Sequence, residues 1–256
     1  MIDFDFHMHT TWSDGEQDIR EMFNAAEVLG LKKVAVTDHF RKKDHFNLGA
    51  YASELKKLEN EFPFQVFAGV ELEWDADKGV SYFSCSDRAL IDFCICELMG
   101  ELVFLMKSKR YEAERKEKAK FMETVFNAYY RMAESPVVDV IAHPFNFGRM
   151  TLEFDFDLDS LSRRHLYEMA LLMHENDIAY ELQTQFFYWY PNIKVEKLLK
   201  QQIEVARIFR DAGVRFSAGS DAHNLGTVGN MRWADLVIEG LGGKVELFNP
   251  VSVTCA

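Results

Sequence analysis

Along this chain, short runs rich in β-branched and aromatic residues alternate with stretches in which apolar residues recur every third or fourth position. IDFDFH, from Ile2, predicts a first strand, followed by the polar turn TTWSDGEQD. Ile19, Met22, Phe23, Ala26 and Leu29 then fall on one face of a helix, and Gly30 is placed to cap it. KKVAVTDH predicts the second strand, a short helix spans about Ser53 to Glu61, and FQVFAGVE forms the third strand, ending in Glu71. ALIDFCIC is the fourth. A long charged helix follows from about Ser108 to Glu134, with Phe121, Met122, Val125, Tyr129 and Met132 as its buried stripe. PVVDVIAHP, DIAYELQ and VRFSAGSDAH are the fifth to seventh strands, separated by helices over about Asp159 to Glu175 and Val195 to Ala212.

Strands alternating with helices imply parallel strands joined by crossovers. About seven such units point to a closed or nearly closed α/β barrel. No Pro-, Gly- or Ser-rich linker divides residues 1–256, so a single domain is expected.

With 48% hydrophobic and 27% charged residues, the 256-residue chain has the composition of a globular domain. No stretch approaches the roughly 20 apolar residues of a membrane helix. MIDFDFHMHT lacks the basic and apolar regions of a secretory signal, so a cytoplasmic location without membrane contact is the expectation. The cysteines Cys85, Cys94, Cys96 and Cys255 form no CxxC pair and suggest no disulfide framework. The net charge of −12 argues against long nucleic acids as partners, because phosphate neutralisation supplies most non-specific affinity. Some of that charge would be offset if carboxylates held cations. Nothing in the chain fixes an oligomeric state.

The chemistry collects at the carboxyl ends of the strands, where parallel α/β folds place their sites. His7 and His9 end the first strand, with Asp14 in the next loop. Asp38 and His39 end the second, Glu71 the third, His143 the fifth, and Asp221 and His223 the seventh. Five of the eight histidines therefore stand at strand ends, whereas His45, His165 and His174 lie in a loop or helices and read as surface or packing residues. Neutral imidazole and carboxylate are donors suited to Zn²⁺, Mn²⁺ and Fe²⁺. In HMH the two side chains share one face of a strand, so one ion can be held by both. A carboxylate such as Glu71 can bridge two ions. Any one of these motifs is weak; five strands ending alike make a metal site.

HMHTTWSDG, VTDH, Glu71 in GVE, IAHP and SAGSDAH resemble the successive motifs of the polymerase-and-histidinol-phosphatase (PHP) family, in the family's order from His7 to His223. The resemblance implies a distorted (β/α)7 barrel, two to three divalent ions (zinc, manganese or iron) at the C-terminal strand ends, and hydrolysis of phosphate esters. By resemblance His7, His9, Glu71 and Asp221 hold a first ion, Glu71 and His143 a second, and Asp14, His39 and His223 a third. One position departs: the run DFCICELM puts Met99 where many members carry a histidine ligand to the second ion. A thioether is a poor ligand for such ions. Loss of one ligand, leaving a two-metal or weakened site, is a simpler reading than substitution by Glu97, Glu101 or Cys96.

The resemblance implies attack on phosphorus by water that divalent ions activate, with Asp221, His223 and Arg149 as catalytic candidates, whereas the ligand pattern alone would also suit an amidohydrolase-like enzyme. The identity of the general acid stays open. Arg149, in HPFNFGR, and Arg41, after TDHF, are candidate phosphate contacts; Lys42 and Lys43 read as solvated. Asp38 is expected to orient an imidazole or to be a plain strand-end residue. The aromatic run TQFFYWYPN reads first as a cover and second as a stacking wall. The expected activity is that of a small phosphate monoesterase resembling histidinol-phosphate phosphatase, which would place it in histidine biosynthesis. The alternatives are a nucleotide phosphoesterase or 3′–5′ exonuclease on short oligonucleotides, and a degenerate non-catalytic metal-binding module.

Overall fold

The computed structural model describes residues 1–41, 46–75, 78–98, 118–146 and 157–250. Its strands are β1 (Phe4–Asp5), β2 (Lys33–Val36), β3 (His39–Phe40), β4 (Gln65–Glu73), β5 (Phe93–Glu97), β6 (Val140–Ile141), β7 (Ala179–Gln183) and β8 (Phe216–Gly219). The helices are α1 (Ile19–Val28), α2 (Leu48–Leu58), α3 (Cys85–Arg88), α4 (Lys118–Ala133), α5 (Arg163–Glu175), α6 (Val195–Asp211) and α7 (Arg232–Leu241). Every strand pairing is parallel, in the order β1-β2-β4-β5-β6-β7-β8, with β3 also against β4. The two edges meet: Phe6 N–H donates to Ala218 O (3.2 Å), Asp221 N–H to His7 O (2.8 Å) and His9 N–H to Ala222 O (2.8 Å). The result is the nearly closed, distorted (β/α)7 barrel that the sequence motifs imply.

The expected second strand is two pieces. It breaks at Thr37–Asp38 and resumes as β3, which keeps the same neighbour through the His39↔Glu71 register. The expected helix from Ser53 begins earlier, at Leu48, because the Asn47 side chain accepts from Ala50 N–H (3.0 Å) and caps it. Gly49 in its first turn hides that start from a periodicity argument. α1 opens on a capping box between Asp18 and Glu21 and buries Ile19, Met22, Phe23 and Ala26. Leu29, expected on the same face, is 56% exposed because it lies past the last turn. α7, packed on α6 and β7, is an element the strand-and-helix pattern did not reveal.

Phe6, Phe67, Phe93 and Phe248 fill the barrel at the start of the strands, with ring centroids 5.6 to 6.4 Å apart. Burying such rings contributes roughly 1.5–3 kcal/mol each. The polar residues His39, Glu71 and Asp221 lie on from this apolar plug, towards or past the carboxyl ends of the strands. No helix among them is long and apolar enough to cross a membrane.

Candidate metal centre

Parallel strands deliver their last residues to one rim, and there the structure brings together His7, His9, Asp14, His39, Glu71, His143, Asp221 and His223. Arg149, Met99 and His45 lie outside the described residues. His165 and His174 stand apart, bonded to Tyr130 (2.8 Å) and to the Gly213 carbonyl (3.1 Å), as their positions in helices suggest.

The tightest group comprises His7 Nε2, His9 Nε2, Glu71 Oε2 and Asp221 Oδ1. The two imidazole nitrogens are 3.1 Å apart. Glu71 Oε2 is 3.5 and 3.4 Å from them, and Asp221 Oδ1 3.4 and 3.1 Å. Four donors tetrahedrally bound at about 2.0–2.1 Å would lie about 3.3–3.4 Å from one another. Two imidazoles and two carboxylates suit a divalent ion in type, and the five separations among them lie close to that spacing.

Glu71 turns its other oxygen, Oε1, to His143 Nε2 at 3.2 Å. A more open group lies beside these. Asp14 is 3.5 Å from His39 Nε2, 3.4 Å from His223 Nε2 and 3.8 Å from His9 Nδ1. His9 thus faces two groups, but a neutral imidazole has a single lone pair. Its Nδ1 is buried without a hydrogen-bond partner. Asp14 (48% exposed) and His223 (38%) form the open side of the cluster.

Other side chains aim these donors. Glu181, buried at the end of β7, accepts from His7 Nδ1 (2.7 Å) and from the backbone N–H of His143 (2.6 Å). The first bond fixes the His7 tautomer and turns the Nε2 lone pair to the centre. His223 Nδ1 donates to Asp221 O (3.0 Å) in the same manner. Glu181 was not among the expected site residues, although YEL stands at a strand end like the others. The signal was its position; a lone Glu without a neighbouring His did not stand out.

Backbone strain marks the same rim. His143 (φ 30°), Phe145 (φ 66°) and Asp221 (φ 54°) all adopt left-handed conformations, costing of order 1–3 kcal/mol each. Gln185 Nε2 donates to Ser220 O and Asp221 O (3.0 Å each), and Gln183 Nε2 to Asp221 Oδ2 (2.5 Å). Tyr129 OH accepts from Phe145 N–H (2.9 Å), while Tyr190 OH donates to Phe145 O. Gly219 has a steric role: a Cβ there would stand 2.2 Å from His7 Cβ.

One expectation changes, and the first reading of the aromatic run holds. Asp38 does not orient His39; it accepts from Thr10 N–H (2.7 Å), Thr10 Oγ1 (2.8 Å) and Ser13 Oγ (2.7 Å). It fastens the loop that carries Asp14. The aromatic run forms a 3-10 helix over Thr184–Trp189, in which Phe186 and Tyr190 are buried as cover and only Tyr188 is largely exposed.

Burial works against charge on His7, but Glu181, Glu71 and Asp221 together hold its pKa well above the usual value. Burial likewise opposes charge on His143, yet Glu71 and Glu181 push its pKa up to about 9. Asp14 and Asp221 bring His223 to about 9 despite its partial burial. Burial and then Glu71 raise Glu97 to about 7. A metal ion must displace the imidazole protons, since only the neutral ring is a ligand. Because the pKa values of His143 and His223 lie near 9, affinity is expected to climb as pH rises from 6 towards 9 and to flatten above it. Proton release on binding, read calorimetrically in buffers of different ionisation enthalpy, checks this. Binding by carboxylates of ordinary pKa alone would release none at pH 7.

A parallel barrel with imidazoles and carboxylates gathered at its C-terminal rim defines a metal-binding barrel. Residues 5–185 match the model of the PHP domain, and the chain belongs to that family. DNA polymerase/3′-5′ exonuclease PolX of Bacillus subtilis (strain 168) is 28% identical over 241 residues, 89% of this chain. An uncharacterized protein of Methanocaldococcus jannaschii is 29% identical over 154 residues, 59% of this chain. The chain spans 35% of the first relative's length and 62% of the second's. Histidinol phosphate phosphatase from Lactococcus lactis subsp. lactis, solved with zinc, L-histidinol and phosphate, shares the fold. Its TM-score is 0.70 at 18% identity, over 98% of this chain and 97% of that one.

Proposed function

We propose that this chain is a metal-dependent phosphoesterase that hydrolyses a small phosphate monoester. The observation that carries the reading is the convergence of His7, His9, Glu71 and Asp221, whose donors stand 3.1–3.5 Å from the two imidazole nitrogens. Glu71 and His143 would hold a second ion, and Asp14, His39 and His223 a third. Bound divalent ions lower the pKa of water towards neutrality and offset charge on phosphoryl oxygens.

The chain's own residues do the rest. Glu181 keeps His7 oriented through a 2.7 Å bond. Gln183 and Gln185 hold the strained Asp221 in place. The open side at Asp14 and His223 is where a phosphate would enter. His223 and Asp221 stand there as the proposed catalytic groups, with Arg149 as a proposed phosphate contact. Arg41, 30% exposed on the rim after β3, is a second cationic group placed to meet a phosphoryl oxygen.

A histidinol-phosphate-like substrate is the leading choice, in keeping with the structural likeness across nearly the whole of both chains. A nucleotide or short-oligonucleotide substrate is the second reading, supported by the sequence match to the PolX exonuclease. The net charge of −12 counts against a long polynucleotide.

The test is phosphate release by protein loaded with Mn²⁺ or Zn²⁺, on histidinol phosphate, mononucleotides, an aryl phosphate and a short oligonucleotide. Hydrolysis of monoesters that chelator abolishes and added metal restores is the expected result. Preference for the nucleotides or oligonucleotide would select the second reading. A metal-loaded protein inactive on every ester would overturn both and leave the non-catalytic module.

A further inference from the structure

Glu97, the last residue of β5, has no part in the ligand set assigned above. Its side chain is almost wholly buried, and its ligand atom lies within 4.8 Å of those of His39 and Glu71. The bland account is an ion pair with Arg41, but Arg41 Nη2 is 3.8 Å away, beyond hydrogen-bond distance. A buried arginine–carboxylate pair that satisfied both partners would be shorter and commonly forked. His39 Nδ1 is no better a partner, at 3.9 Å. Among the described residues no donor hydrogen-bonds the Glu97 carboxylate. The carboxylate thus has no short charged partner among those residues.

An independent sign comes from the imidazole across the gap. His39 is 8% exposed, and its Nδ1 makes no hydrogen bond of acceptable geometry although Glu71 Oε2 is only 2.9 Å away. Glu71 and Glu97 thus turn carboxylate oxygens towards the space that His39 Nδ1 also faces. Such convergence suits a cation.

We infer that Glu97 is a ligand to a divalent ion that Glu71 also holds, on the β5 side of the rim. The inference rests on the metal-centre reading above. The group is wider than the 3.1–3.5 Å cluster around His7 and His9, so this ion binds more weakly than the one there. With Glu97 drawn to the ion, the Arg41 guanidinium, whose Nε is buried and unpaired, is left to face substrate.

Metal content of the full chain after equilibration with Mn²⁺ and desalting, together with anomalous diffraction at the manganese edge, tests this. The expected result is a manganese peak bonded to a Glu97 oxygen in the unmodified protein, and loss of about one ion per chain in Glu97→Gln with the His7–His9 ion retained. A peak beside Glu71 and His143 that Glu97 does not touch would overturn the inference while leaving the metal-centre reading intact. So would an unchanged metal count in Glu97→Gln. If Glu97→Gln fails to fold, the diffraction result on the unmodified protein decides alone. A protein that takes up no manganese at all would instead sink the reading beneath it.

Discussion

Replacing His9 by alanine is expected to abolish phosphate release and to strip the protein of its tightest metal ion. His9 is fully buried, with Nε2 3.1 Å from both His7 Nε2 and Asp221 Oδ1. Its ring lies 4.2 Å from that of His223 and 4.4 Å from that of His39, so it sits between the inner and open groups. The backbone of His9 is tied to Ala222 at 2.8 Å, which fixes where its ring enters the cluster. The loss in turnover should be at least the roughly 10²–10³-fold that follows removal of one preorganised electrostatic group. Phosphate release and metal content measured on the same sample check it. Retention of both within a few-fold of the unmodified protein would show that His9 is a packing residue.

The second large effect concerns a residue that no motif identifies. Glu181→Gln keeps the shape of the side chain but turns one acceptor oxygen into a donor. Either His7 Nδ1 or the His143 N–H then loses its partner, and both lie where water does not reach. An unsatisfied buried donor costs about 1–3 kcal/mol. Freeing the His7 tautomer should weaken metal affinity or turnover by roughly 10–100-fold. Metal titration and a thermal melt of the same variant separate the two parts of the effect. A variant with reduced melting temperature but undiminished metal affinity would assign Glu181 to the fold alone.

The strand ends that gather the candidate ligands were legible in the sequence because each couples two signals, an apolar run and a His or acidic residue directly after it. Seven of the eight expected ligands reach one rim for that reason, and Asp14 joins them from the loop after β1. Parallel strands can put their carboxyl ends nowhere else. The supporting residues carried no such double mark. Glu181 is a single acidic residue at the end of AYELQ, and Gln183 and Gln185 look like ordinary polar positions. Asp38 was visible, yet adjacency to His39 suggested the wrong partner. Its bonds to Thr10 and Ser13 cross between strands, which one-dimensional spacing does not encode. The break between β2 and β3 and the early start of α2 were hidden for a related reason. A side chain that caps or fastens backbone acts on neighbours in space, while periodicity reports only which face is buried.

The meeting of β1 with β8 joins residues far apart along the chain: Ser220 Oγ donates to His7 O across 213 positions. An ion held jointly by His7, His9 and Asp221 would therefore act as a rivet on the barrel's seam. Closing so long a loop is entropically slow to achieve, and an ion that binds only the closed form adds its binding free energy to the folded state. Chelation should accordingly loosen the seam before any other part of the sheet, and hydrogen exchange at the amides of Phe6, His9 and Asp221 would register it first.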